Sequence, residues 1–128
     1  MKNTNRYFFL FALFISFFFM GCRSKHTDLI SFSVTQRHFT LEEDDNWPER
    51  CCDHKLKSRP QDDTLLVTLE VPDDGCKGFT GDIKIKGDSL ILVYKPKRQG
   101  CKELIFYSLH YKILNTKKIN YKLSYEKM

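Results

Sequence analysis

A chain of 128 residues with a net charge of +5 and 41% hydrophobic residues has the size of one domain and a globular composition, which excludes a disordered or fibrous protein. The charge is uneven: residues 23–76 carry 7 basic and 12 acidic side chains, and residues 77–128 carry 12 and 4. The lysines of the basic half alternate with apolar residues, as on the wet face of a strand, so the excess predicts a solvated surface and no nucleic-acid partner.

The first element along the chain is a leader. Lys2 and Arg6 form a basic end, and the residues from Tyr7 to Met20 are almost wholly apolar, taking seven of the eleven phenylalanines into the first 21 positions. A membrane-spanning helix needs about 20 apolar residues, whereas about 7–15 suits the core of a secretory signal. The small residue Gly21 then stands directly before Cys22. On these residues the chain resembles the bacterial lipoprotein family, whose lipobox reads aliphatic, small, small, cysteine. Here the four positions are Phe19-Met20-Gly21-Cys22, with Phe19 and Met20 bulkier than the usual residues.

That resemblance implies cleavage after Gly21, lipidation of Cys22 with palmitate-like acyl chains, and a membrane partner reached through the lipid anchor. Each buried methylene contributes about 0.8 kcal/mol, so two or three chains hold a protein durably. Arg23 stands where an Asp would mark inner-membrane retention, which implies the outer membrane of a double-membraned cell envelope. An uncleaved anchor helix and a freely secreted protein are the alternatives. The chain therefore divides into a signal peptide at 1–21, a tether at 22–28, and a single β domain at 29–128 with a long loop at 40–63.

Within the domain, period-2 alternation marks the strands, and no stretch carries a helical period. Residues 29–36 place Ile30, Phe32 and Val34 on one face, and residues 64–71 do the same with Leu65, Val67, Leu69 and Val71. Pro72-Asp73-Asp74-Gly75 reads as a tight turn. Gly87-Asp88 reads as the two-residue loop of a hairpin in which paired positions sum to 175, setting Ile85 opposite Leu90 and leaving Lys84 and Lys86 on the other face. A last hairpin is predicted from the stripes Ile105, Tyr107, Leu109, Tyr111, Ile113 and Ile119, Tyr121, Leu123, Tyr125, joined by a loop at 115–117. Short strands at this spacing predict an all-β, antiparallel β-sandwich, immunoglobulin-like or related, with a small β-barrel as the alternative.

The long connection contains an acidic run from Glu42 to Asp45, the only tryptophan, Trp47, and the pair Cys51-Cys52. Loops beyond about 12–15 residues in compact domains are usually functional or disordered, so Trp47 is the candidate contact residue. The acidic run lacks the glycine and the spaced alternation of a calcium loop and reads as solvated. An oxidising compartment favours disulfides, and the hairpin register, which sets Cys76 opposite residue 99 with a bulge at Pro96 or Gly100 to close the gap, makes Cys76–Cys101 the expected pair. Cys51 and Cys52 then form a vicinal bridge, stay as thiols, or instead tie to Cys76 and Cys101. Cys51, Cys52 and His54, with His38 or His110, suggest zinc or copper(I), but adjacent cysteines lack the C-x2-C spacing a metal favours. No metal and no cofactor is assigned.

Hydrolase, metalloprotease, nucleotide-binding and dinucleotide motifs are missing, so no catalytic residue is assigned and the protein is not expected to be an enzyme. The remaining expectation is a binding or interaction module whose partner is an envelope protein or a polysaccharide. A structural envelope lipoprotein is the second reading.

Overall fold

The computed structural model describes residues 25–38 and 54–128; the expected signal peptide at 1–21, Cys22, Trp47, Cys51 and Cys52 lie outside these. Seven strands follow in order: β1 Leu29–His38, β2 Lys55–Gln61, β3 Thr64–Gly75, β4 Phe79–Lys86, β5 Ser89–Pro96, β6 Cys101–Leu114 and β7 Lys122–Lys127. They form a four-stranded sheet, β1-β6-β3-β2, and a three-stranded sheet, β4-β5-β7. The two sheets pack face to face as a β-sandwich and do not close into a barrel. The strand numbers match an immunoglobulin constant domain, but that fold orders its larger sheet as first, second, fifth and fourth strands. This is a related sandwich with its own connections.

The alternating residues build the core as their period dictates. Leu65, Val67, Leu69 and Val71 of β3 sit opposite Ile113, Tyr111, Leu109 and Tyr107 of β6, and all eight are buried. Leu90, Leu92 and Tyr94 of β5 and Phe79 and Ile83 of β4 close the core from the other sheet. The Tyr111 hydroxyl donates to the Val93 carbonyl at 2.9 Å, joining the sheets by a buried hydrogen bond. Phe79 meets the Tyr107 ring edge-on at 4.8 Å between centroids. Gly81 marks the closest approach of β4 to β1: a Cβ there would lie 2.2 Å from the Phe32 ring. Only glycine allows that contact.

The β4–β5 hairpin has the expected register, from Phe79↔Pro96 to Lys86↔Ser89. Its loop begins with Gly87 at φ 60°. The β2–β3 hairpin uses the same device, with Asp62 at φ 52°. Aspartate tolerates this left-handed backbone better than most residues.

Five expectations are corrected. A bulge between Leu29 and Ser31 shifts the phase of β1, so Leu29 packs on the core beside Phe32 and Val34, and Ile30 is 50% exposed. Pro72-Asp73-Asp74-Gly75 is not a turn but the continuation of β3 along β6. Among the described residues the pairing of β2 ends at Glu70, so there Pro72 has a strand neighbour on the β6 side only, a position that tolerates a missing N–H. The chain turns at Cys76 instead, at φ 62°. Residues 55–61, assigned to the long loop, form edge strand β2; only Leu56 packs inward, and its lysines, Arg59 and Pro60 hide the strand pattern.

The β6–β7 hairpin does not form either. Both edges of β6 are taken by β1 and β3, and β7 crosses to the other sheet and pairs in parallel with β5, Leu90 beside Leu123. Asn115 holds this crossover: its side chain accepts from the Ile119 N–H and donates to the Ile119 carbonyl, each at 3.0 Å. The antiparallel expectation holds for every strand pair but this one. Lastly, the end of the tether is docked. The His26 N–H donates to Asp82 Oδ1 at 2.8 Å, and the Leu29 N–H closes a turn onto the His26 carbonyl at 3.1 Å.

Candidate functional site

Strand alternation leaves the outer face of the four-stranded sheet to polar side chains. The register arranges them in rows that cross all four strands. One row runs Ser33, His110, Thr68, Lys57 and the next Ser31, Lys112, Leu66, Arg59. Together they line an open groove of about 410 Å³. Neighbouring strands lie about 4.8 Å apart and same-face residues about 7 Å apart. Lys57 and Arg59 therefore stand on one wall, with Lys112 about 10 Å away across Leu66.

His110 fixes the centre of this floor. Its Nε2 lies 2.9 Å from Thr35 Oγ1 and its Nδ1 3.2 Å from Thr68 Oγ1, so both ring nitrogens are engaged by hydroxyls from flanking strands. Among the described residues, Lys57, Arg59 and Lys112 have no acidic partner. The carboxylate of Glu70, one row away, is held by Arg37 at 3.0 Å, and the Arg37 guanidinium lies 4.2 Å over the Phe106 ring. The groove is cationic and rich in hydroxyls, with one aliphatic residue on its floor. Chemically, it can hold an anionic group by charge and satisfy its oxygens by hydrogen bonds.

The expected disulfide is present. Cys76 and Cys101 are bonded, with Cα atoms 5.5 Å apart. The geometry differs from a pairing across the β4–β5 hairpin: a shift between Asp74 and Gly75 brings Cys101 level with Gly75, so the bridge links the end of β3 to the start of β6. Cys22, Cys51, Cys52 and Trp47 lie outside the described residues. The three histidines considered for metal binding are not brought together. His110 faces outward, His54 stacks on Tyr125 at 4.7 Å and meets the Tyr94 hydroxyl at 3.3 Å, and His38 pairs with Glu103 at 3.0 Å. Among the described residues no group of three or more His, Cys, Asp or Glu side chains could hold a metal ion.

An ion pair clasps the disulfide end of the domain. Lys77 Nζ lies 2.6 Å from Asp73 Oδ1, and Lys127 lies 3.6 Å from the same carboxylate. Burial alone would raise the Asp73 pKa. The Lys77 hydrogen bond, the Asp74 N–H and the two positive charges outweigh that and hold it below the usual value. The Asp73 bond in turn raises the Lys77 ammonium. A depressed carboxylate contributes stability above its unfolded pKa, about 3.9, and loses it as pH falls through the folded value. Thermal melts should therefore show stability falling below about pH 4, and more shallowly in Asp73→Asn, which at neutral pH should cost about 1–2 kcal/mol.

The site went unseen in the sequence because no contiguous run contains it. Its signal is the outward half of each alternation, Ser31-x-Ser33 in β1 and His110-x-Lys112 in β6. No protein-family model matches this chain, and no curated protein or solved structure matches it either.

Proposed function

We propose that the protein is a lipid-anchored binding module of the cell envelope, which engages an envelope component through the outer face of its four-stranded sheet. The observation that carries this is the uncompensated cationic groove: three basic side chains and the hydroxyls of Ser31, Ser33 and Thr68 share one open surface with no acidic partner among the described residues. Like charges gathered on one face repel, and an anionic ligand would relieve that repulsion. The anchor is supported by the leader and by Cys22, the odd cysteine of five once the other four are set aside for pairing. A structural role in the envelope is the second reading; it leaves the groove unexplained.

Two measurements test this. Intact mass spectrometry of the membrane-extracted protein should give a chain beginning at Cys22 with acyl chains attached and the Cys76–Cys101 bridge intact. A photo-crosslinking residue at Ser33 should yield a saturable adduct with an envelope component, and the same residue at Lys95, on the other sheet, should not. An unacylated chain that carries its leader would overturn the anchor. Equal labelling at both positions would overturn the binding face.

A further inference from the structure

We infer that the groove's ligand is an acidic polysaccharide, recognised through its fixed anions and hydroxyls and not by stacking of its sugar rings. The inference rests on the binding-module reading above and names its ligand class. Charge complementarity comes first: Lys57, Arg59 and Lys112 line the groove, and among the described residues its lining holds no carboxylate. Glu70, the carboxylate one row away, is already paired with Arg37. His110 adds an imidazole whose two nitrogens are held by Thr35 and Thr68, so the floor presents fixed polar groups.

The remaining chemistry narrows the anion's carrier. A folded protein partner needs apolar or aromatic anchors that bury in pockets, and among the described residues this floor offers Leu66, with Val67 beneath it only 1% exposed. Single-stranded nucleic acid needs aromatic platforms for its bases. Tyr111 lines the groove only from beneath, because its ring is 1% exposed and its hydroxyl is bonded to Val93 in the core. A neutral glycan, which would stack on such a ring, finds none exposed among the described lining residues. What fits is an extended, hydroxyl-rich chain bearing carboxylate, phosphate or sulfate groups. Its anions meet Lys57 and Arg59 on β2 and Lys112 on β6, and its hydroxyls meet Ser31, Ser33 and Thr68.

The test uses the full-length protein in neutral detergent micelles, with polygalacturonate, dextran sulfate and neutral dextran as probes and phosphatidylglycerol vesicles as a fourth arm. The two anionic polymers should bind, more weakly as salt rises from about 50 to about 200 mM, and neutral dextran should not. The triple variant Lys57→Gln, Arg59→Gln, Lys112→Gln should lose about tenfold in affinity or more, as three exposed charge contacts predict. Lys95→Gln, Lys97→Gln, Lys102→Gln has the same net charge and should bind as the parent does. Unchanged melting curves would show that both triples are folded. Equal losses in the two triples would reduce the effect to net charge and overturn the inference. Dextran binding that survives in the groove triple, or a preference for vesicles over polymers, would overturn it too. If the Ser33 crosslink forms while no acidic polymer binds, the ligand class falls and the binding face stands.

Discussion

Replacing Tyr111 with alanine should lower the unfolding free energy by about 3–5 kcal/mol, whereas phenylalanine at the same position should cost only about 1 kcal/mol. Tyr111 sits on central strand β6, 1% exposed, beside Val67 of β3 and with its ring 5.0 Å from that of Phe32. Alanine would empty the space between the two sheets and also remove the hydroxyl that donates to Val93. Phenylalanine would remove the hydrogen bond alone. Burial pushes the Tyr111 phenol far above its usual pKa, so the group stays a neutral donor throughout the accessible range. Urea unfolding of the two variants separates the terms. A phenylalanine variant as unstable as the alanine one would show that the bond between sheets, not packing, holds this part of the core.

Removal of the Cys76–Cys101 bridge, by reduction or by paired serine substitution, should cost about 3 kcal/mol. The bond closes a loop of 25 residues, and the chain-entropy model assigns about that much to such a loop. For a domain of this size the loss corresponds to a fall of about 12–24 °C in Tm. The bridged end has other fastenings: the Tyr107 hydroxyl donates to the Asp74 carbonyl at 2.8 Å and accepts from the Lys77 N–H at 3.2 Å. Calorimetry with and without reductant measures the effect. A shift of only a few degrees would mean that these bonds and the Asp73–Lys77 pair keep the end closed in the unbridged chain.

The fold was legible where the deciding contacts are local. Gly87-Asp88 fixes its own hairpin, and the sequence register from Ile85 and Leu90 agrees with the structure at every pair. The stripe in β3 and the stripe in β6 were read correctly as buried faces. Their neighbours were not. Ile119, Tyr121, Leu123 and Tyr125 satisfy a hairpin with β6 and an edge position on β5 equally well, because alternation says which face is apolar and not which strand lies alongside. Tyr125, 41% exposed and stacked on His54, shows how much looser the actual seat of that stripe is.

The cysteine pair shows a partial success of the same kind. Cys76–Cys101 was the right pair, but the route to it went through the β4–β5 hairpin, whereas β3 and β6 bring the two together. In β2 the loss is compositional: with Leu56 as its one inward side chain, a strand of Lys, Ser, Arg, Pro and Gln reads as loop. The groove combines these difficulties. Its residues come from four strands, each contributing one to three polar side chains that look ordinary in isolation, and only the order β1-β6-β3-β2 places them side by side.

In a protein lipidated at Cys22, as proposed, the bond from His26 to Asp82 would set how far the domain can stand from a membrane. With lipids on Cys22, only three peptide links separate the anchor from Lys25, and a fully extended chain spans at most about 10–11 Å over that stretch. Because His26 is fastened to β4, no further slack can be drawn from the residues leading into β1. The domain would then ride close to the bilayer with its β1–β4 side lowest. In the larger sheet β2 lies three strand spacings from β1, about 14 Å. Lys57 and Arg59 would thus be lifted to the upper rim, turned toward whatever polymer lies above the lipid and held there by a leash too short to let them turn back.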